Sequence, residues 1–310
     1  MILALGLVAI VIVGLLAYWE LVIAEGVHLG PRIVALLYDL VARRYNSIKQ
    51  FTPSYEEWFL GEPLARALMD ATESFGGESL SLGSACPLVL DVATGTGRLP
   101  ITLLKQTDFH GYVIGVDSSR AMLAQAARDT QAIPSRLTLI WQEVNPLPFD
   151  NNTFDAVTCL EALEFFPDTR QALEEMLRVL RPGGVLLATN RVGLWAKFLP
   201  GHTQNRPAFE ALLASLGMAN VHTHTWQVEY DLVWAIKPGH DAGKDNRSLE
   251  QILHCPQCGK LLARMDNLFV CDPCSQAYRT APDGVIEMMK SNRRRSGDRR
   301  RSRGQMERSQ

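Results

Sequence analysis

Two groups of residues in this 310-residue chain have the types and spacing for chemistry. The first is a carboxylate followed by small residues, Asp91-Val-Ala93-Thr94-Gly95-Thr-Gly97, with a second carboxylate, Asp117, further on. Gly95 and Gly97 permit a sharp turn and let the backbone approach a ligand that a Cβ would block. Asp91 is placed to accept hydrogen bonds from a cationic or hydroxyl-bearing group. A carboxylate at the position of Asp117 grips ribose hydroxyls in dinucleotide-binding sheets. The third glycine of the dinucleotide fingerprint is missing, so the spacing points to an adenosyl ligand without a diphosphate. The second group is Cys255-x-x-Cys258 with Cys271-x-x-Cys274. Each pair can wrap one side of a tetrahedral ion, and four thiolates make a closed structural zinc site with no open position for catalysis. Iron is the lesser metal and two disulfides the competing reading. A reducing compartment disfavours the disulfides. Cys86 and Cys159 fall outside the pattern and read as buried thiols.

The elements that must hold these groups follow from the apolar runs. The run ending at Asp91 reads as a buried parallel strand, and a helix opens at Leu99. Tyr112 to Val116 is the second strand and carries Asp117 at its tip. Arg98–Gln106 and Ala121–Thr130 are crossover helices, and Leu137–Trp141 is the third strand. Phe154–Leu160 is the fourth strand and Arg170–Leu180 a helix. Arg181-Pro-Gly-Gly184 then turns the chain into a strand over Val185–Thr189. Val221–Trp226 and Tyr230–Ile236 read as a closing antiparallel pair.

On four ordered motifs, the chain resembles the class I S-adenosylmethionine (SAM)-dependent methyltransferases, and most closely their quinone-biosynthesis branch. The motifs are Leu90-Asp-Val-Ala-Thr-Gly-Thr-Gly97; Val116-Asp-Ser-Ser119 with Ala121-Met-Leu123; Leu147-Pro-Phe149 with Phe154-Asp-Ala-Val157; and Arg178-Val-Leu-Arg-Pro-Gly-Gly-Val185. The resemblance implies an α/β fold with a doubly wound, mostly parallel seven-stranded sheet and SAM as cofactor. It implies that Asp91 and the backbone around Ala93, Thr94, Gly95 and Gly97 hold the methionine end, and that Asp117 and Ser118 take the ribose. Met122 would pack on the adenine, with a plain core methionine as the alternative. Leu160 and Glu143, beside Val144, would lie near the adenine amino group. The family more often has Gly-Asp-Ala where this chain has Gln142-Glu143-Val144, which keeps a carboxylate but lengthens it. Glu161 and Glu164 follow the fourth strand, where relatives place acceptor-contacting residues. Either is a candidate acceptor-side base, or a solvated loop carboxylate. His202, His222 and His224 read as structural. The fourth strand lacks an Asn/Asp-Pro-Pro-Tyr-type motif, which argues against amino-methylation of adenine or glutamine.

The flanks add three appendages. Met1–Trp19 contains no charged side chain and as a helix would extend about 28 Å, enough to cross a bilayer core. Residues 1–24 therefore read as an uncleaved transmembrane anchor, with a signal peptide or a core helix as alternatives. Arg32, Arg43, Arg44 and Lys49 follow it, which places the catalytic domain on the cytoplasmic side of the cell membrane as a single-pass protein. Residues 25–84 are a helical lead-in and a linker over 76–84. In the lead-in, Ile33, Leu36, Leu37, Leu40 and Val41 form a stripe for docking on the protein's own core or on a membrane surface. Residues 85–238 form the SAM-binding domain, followed by a polar linker over 241–246. Residues 249–289 form a zinc ribbon that resembles the small zinc proteins that partner methyltransferases by β-pairing or packing, here fused in cis. The tail over 290–310 has nine Lys/Arg against Asp298 and Glu307, a net +7 in a chain of net −2. It reads as disordered, simply solvated or in contact with anionic lipid in preference to RNA. The function expected is a membrane-anchored methyltransferase acting on a small or lipid-like acceptor of quinone type. An RNA or protein acceptor, with the ribbon as helper, is one alternative. A non-catalytic SAM-binding adaptor at the membrane is the other.

Overall fold

A computed structural model of the chain describes residues 2–69, 74–75, 78–79, 86–131, 136–240 and 248–289. The linker over 241–246, the tail over 290–310 and most of the linker over 76–84 lie outside the described residues. The central strands are β1 (Leu88–Val92), β2 (Tyr112–Asp117), β3 (Leu137–Trp141), β4 (Phe154–Cys159), β5 (Leu180–Arg191), β6 (Ala219–Trp226) and β7 (Tyr230–Ile236). Their spatial order is β3-β2-β1-β4-β5-β7-β6. The first five run parallel, β7 alone runs against them, and β6, antiparallel to β7, again points the same way as the first five.

The near-unbroken apolar sequences of β1, β2 and β4 suit strands covered on both faces. Alternate side chains accordingly enter two different cores. Leu90, Val92 and Val157 pack on one face with Leu173 and Met176 of a helix over Thr169–Val179. Val89, Val113 and Ala156 pack on the other with Leu64 and Leu68 of the lead-in and with Leu99 and Leu103. Arg181–Gly184 is counted within β5 but bulges from it: Leu180 pairs with Phe154 and Val185 with Ala156, and Gly183 takes φ +78°. Gly184 sits too close to Leu180 and the Asp155 carbonyl to carry a side chain there.

The expectation of a mostly parallel, seven-stranded sheet is corrected: the sheet is mixed and has eleven strands. The additional strands are β8 (Ala263–Met265), β9 (Leu268–Cys271), β10 (Gln276–Thr280) and β11 (Ile286–Glu287). They pair antiparallel in sequence, and β11 then joins β3 in parallel, with Ile286 opposite Ile140 and Glu287 opposite Trp141. Otherwise β3 would present an unpaired edge of N–H and C=O groups. The amides of Met288 and Met289 donate to the Trp141 carbonyl as well. Leu253, Phe269, Tyr278 and Ile286 of the C-terminal module belong to the same buried cluster as Leu90 and Val92.

At the other end, α1 (Ile2–Tyr18) continues through a wider helical turn over Trp19–Ile23. Among the described residues, Leu5–Ile23 is the one helix long and apolar enough to cross a membrane, and none of it is buried in the protein. The lead-in helix α2 (Pro31–Val41) passes through a tighter turn over Ala42–Arg44 into a short helix over Tyr45–Lys49. The stripe on α2 is split. Ile33 and Leu37 are half-buried, whereas Leu36, Leu40 and Val41 are exposed and do not dock on the protein's own core.

Candidate active site

Strand β1 delivers Asp91 to the carboxyl edge of the sheet, where it is buried. The Thr94 and Thr158 hydroxyls each donate to it at 2.6 Å. Burial outweighs these hydrogen bonds and pushes its carboxyl up to about 6. The turn that follows holds Ala93 at φ +56° and Gly95 at φ +56°, a conformation costly for alanine. A Cβ on Gly95 would meet no atom within 4 Å, so this backbone faces open space in which a ligand fits. Gly97 serves a different purpose. At φ +84° it begins the helix over Arg98–Leu104, and a Cβ there would press on Ala126 at 3.4 Å. Asp117 at the tip of β2 accepts from the Gly95 amide at 2.8 Å and the Ser119 amide at 2.7 Å. Burial raises it too, to about 6.

Two adjoining lobes of a crevice open along this edge. One, about 370 Å³ including its mouth, lies against Asp91, Thr94, Arg98, Phe51 and Tyr45. The other, about 640 Å³ including its mouth, runs beneath α2 against Val34, Tyr38, Asp117, Ser118, Met122 and Phe165. Ala93, Gly95, Leu160 and Glu161 line both. Asp91, Ala93, Thr94, Gly95, Asp117, Ser118, Met122 and Leu160 are thus brought together. Glu143 is exposed beyond β3 and Val144 is half-buried against the main core; neither is on the crevice wall.

Glu161 stands on the wall with a left-handed backbone, φ +51°. Lys49 Nζ reaches it at 3.0 Å and Arg98 Nη1 at 2.5 Å. Burial alone would raise its carboxyl, but the Lys49 and Arg98 charges hold it below the usual range. Arg98 is also bidentate to Glu56, at 2.6 and 2.7 Å, and its guanidinium lies 4.1 Å from the Phe51 ring centre. Asp39 of α2 accepts from the Ser119 hydroxyl at 2.5 Å and the Ala121 amide at 3.0 Å, latching α2 over the second lobe. Lys49, Arg98, Glu56 and Asp39 escape a reading of local sequence. Their only trace there is a polar position on an otherwise apolar lead-in, or a charge directly after Gly97.

Glu164 lies behind the wall. The Tyr230 hydroxyl donates to it at 2.6 Å and Arg191 is 3.4 Å away, while its other oxygen is buried without a hydrogen-bond partner. Burial raises its carboxyl. His202 Nδ1 is 3.0 Å from the Glu164 carbonyl.

The Sγ atoms of Cys255, Cys258, Cys271 and Cys274 all lie within 4.8 Å of one another. A zinc ion bound at about 2.3 Å by four thiolates needs sulfurs about 3.8 Å apart, so the cluster fits a tetrahedral ion. The Tyr278 hydroxyl is 3.3 Å from the Cys255 sulfur. Cys159 is buried, while Cys86 is only half-buried.

Residues 89–184 match a family model described as a methyltransferase domain. The ubiquinone/menaquinone biosynthesis C-methyltransferase UbiE of Geobacter sulfurreducens is 40% identical over 98 residues, 31% of this chain and 38% of its own. A demethylmenaquinone methyltransferase of Lactiplantibacillus plantarum is 44% identical over 101 residues, 32% and 43% of the two chains. That of Symbiobacterium thermophilum is 31% identical over 167 residues, 53% and 61%. The chain therefore spans less than two thirds of the length of these relatives. Among solved structures, the [4+2]-cyclase SpnF aligns with a TM-score of 0.51 at 18% identity, over 67% of this chain and 98% of its own. An S-adenosyl-L-methionine-dependent methyltransferase of Methanococcus maripaludis aligns at 0.50 and 18%, over 66% and 95%. At such identity these show the fold alone. Over residues 89–184 the chain is therefore similar to a methyltransferase domain.

Proposed function

We propose that the chain is a SAM-dependent methyltransferase, tethered to the membrane by α1 with its catalytic domain on the cytoplasmic side, that methylates a small lipid-like acceptor of quinone type. The observation that carries the reading is the donor edge: the buried Asp91 and the half-buried Asp117 flank Gly95, whose missing Cβ opens into the crevice. The quinone-biosynthesis names of the relatives favour that acceptor class, as does a second lobe walled by Val34, Tyr38, Phe165 and Phe166. The exposure of α1 supports the tether, because soluble proteins seldom leave so large an apolar surface in water.

SAM, when bound, supplies an electrophilic methyl group on a sulfonium. Transfer is an in-line displacement that depends on alignment more than on acid–base help. Asp117 and the Ser118 backbone receive the ribose hydroxyls, and Met122 packs against the adenine. Asp91 and the Ala93–Gly95 turn hold the methionine end. Tyr38 and Tyr45 of the lead-in roof the site and exclude water. The acceptor gains the methyl group and loses a proton. Glu161 is a weak base because two cations hold it ionised, so it orients an acceptor hydroxyl by accepting its hydrogen bond. Glu164, buried and off the wall, fixes Tyr230 and Arg191 behind that contact. Cys255, Cys258, Cys271 and Cys274 hold a structural zinc.

The test uses the full, metal-loaded chain in lipid vesicles with methyl-labelled SAM and a quinone-type acceptor. Label in the organic extract, lost in Asp117→Ala, is the expected result. Label appearing instead in an added RNA or protein fraction would overturn the acceptor class.

A further inference from the structure

The loop after β5 has no part in the site as described, yet it is built around the foot of the apolar helix. Leu199 is buried against Ala24 and Val27, which begin one residue past the end of the Leu5–Ile23 span. The His202 ring meets that of His28 edge-on at 5.3 Å, and His28 stacks on Trp19 at 5.1 Å. The loop is therefore fixed at the level where α1 would leave the hydrocarbon. A one-turn helix in the same loop, Gly193–Ala196, has no buried residue. It and the next turn leave Leu194 61%, Trp195 41% and Phe198 44% exposed, with the Trp195 and Phe198 rings 5.8 Å apart. Lys197 between them is exposed as well. Aromatic rings beside a cation are what a headgroup layer favours. Phe165 joins this surface to the site, because it packs on the Ala24–Val27–Leu199 cluster and also lines the second lobe of the crevice.

We propose that Leu194, Trp195 and Phe198 insert into the headgroup layer as a second membrane contact. The contact holds the catalytic domain against the bilayer, so that the crevice takes its acceptor from the membrane rather than from water. The occupant of the patch is the bilayer because the patch continues the surface of a helix that already ends there. The inference rests on the proposed tether and acceptor class. The Ala24–Val27–Leu199 seat sets the domain against the foot of α1, and the second contact adds a fixed point that decides which edge of the sheet meets the lipid. The exposed face of α2, with Leu36 and Leu40, remains outside the proposal.

The test compares wild type with Trp195→Phe, as full chains in vesicles whose lipids are brominated near the headgroup end of the acyl chain. Carbonate washing comes first: release of the chain from the vesicles would overturn the tether itself. For a retained chain, the quenchable share of tryptophan emission is expected to fall in Trp195→Phe, while SAM affinity is unchanged. An equal quenched share in both proteins would overturn the second contact and leave the tether standing. In a second arm, Leu194→Ser, Trp195→Ser and Phe198→Ser are combined. Methyl transfer to a water-soluble, short-chain acceptor is expected to persist while transfer to a bilayer-resident acceptor falls at least tenfold. An equal effect on both acceptors would overturn the inference. So would a dimer in the wild type that these substitutions dissolve, since a second copy would then be the occupant.

Discussion

Burial pushes the Asp91 and Asp117 carboxyls up to about 6, and in the proposed donor site their protonation would set how well SAM is received. Each loses acceptor capacity as the pH falls through that value. SAM affinity is therefore expected to be flat above about pH 7 and to weaken by about tenfold per pH unit below 6 for each carboxylate that must be ionised. Calorimetric titration at several pH values checks this. In Asp117→Asn the dissociation constant should rise at least tenfold at pH 7.5, about 1.4 kcal/mol, with a shallower pH dependence. Glu161 is a different kind of acid. Glu161→Gln strips Lys49 and Arg98 of a buried partner, and loss of one partner of such a pair costs about 3–5 kcal/mol. The loss should sit at the lower end, because Arg98 keeps Glu56, and Lys49→Met in the same chain should recover part of it; denaturant unfolding measures both. The two donor-side acids are legible in the sequence because one strand–turn–helix unit and the next strand tip place them. Lys49, Asp39 and Glu56 are not, since 112, 80 and 42 residues separate them from the groups they bind. No local pattern encodes such pairings.

The cysteine module and the catalytic sheet share strands as well as a core. Four antiparallel strands end in a parallel pairing with β3. Arg120, at the start of the helix after the ribose-side turn, reaches Glu287 at 3.0 Å and Asp283 at 2.8 Å. Burial would raise the Glu287 carboxyl, but Arg279 and Arg120 hold it below the usual range. A module this small needs its metal to fold, so removing the metal should destabilise the whole sheet edge. Chelation, or Cys255→Ser, is expected to lower the melting temperature of the catalytic domain itself in calorimetry. A melt in which the domain transition stays put would show that β11 holds nothing. The cysteine spacing announces the site, but the edge pairing runs only from Ile286 to Met289, and so short a stretch carries no period. Arg181–Gly184 reads as a turn from its Pro-Gly-Gly composition, and in the fold it bulges out of β5: Gly183 takes φ +78°, and register pairing with β4 and β7 resumes only at Val185.

At the scale of the whole molecule, an unburied apolar helix, a crevice roofed by the segment that follows it and a four-cysteine module at the far sheet edge stand in one chain. Carbonate-washed membranes are expected to retain the full chain, and deletion of residues 1–24 to release it into the soluble fraction. The appendages were visible in composition alone, whereas the seating of the loop over 193–202 on the foot of α1 was not, because Leu199 meets Ala24 only in the folded protein. All of this presupposes that the crevice receives SAM. Isothermal titration of the metal-loaded, folded chain with SAM tests that most directly. One site with micromolar or tighter affinity, lost in Asp117→Ala, is the predicted result; no binding heat at any temperature, from protein that unfolds cooperatively, would contradict it.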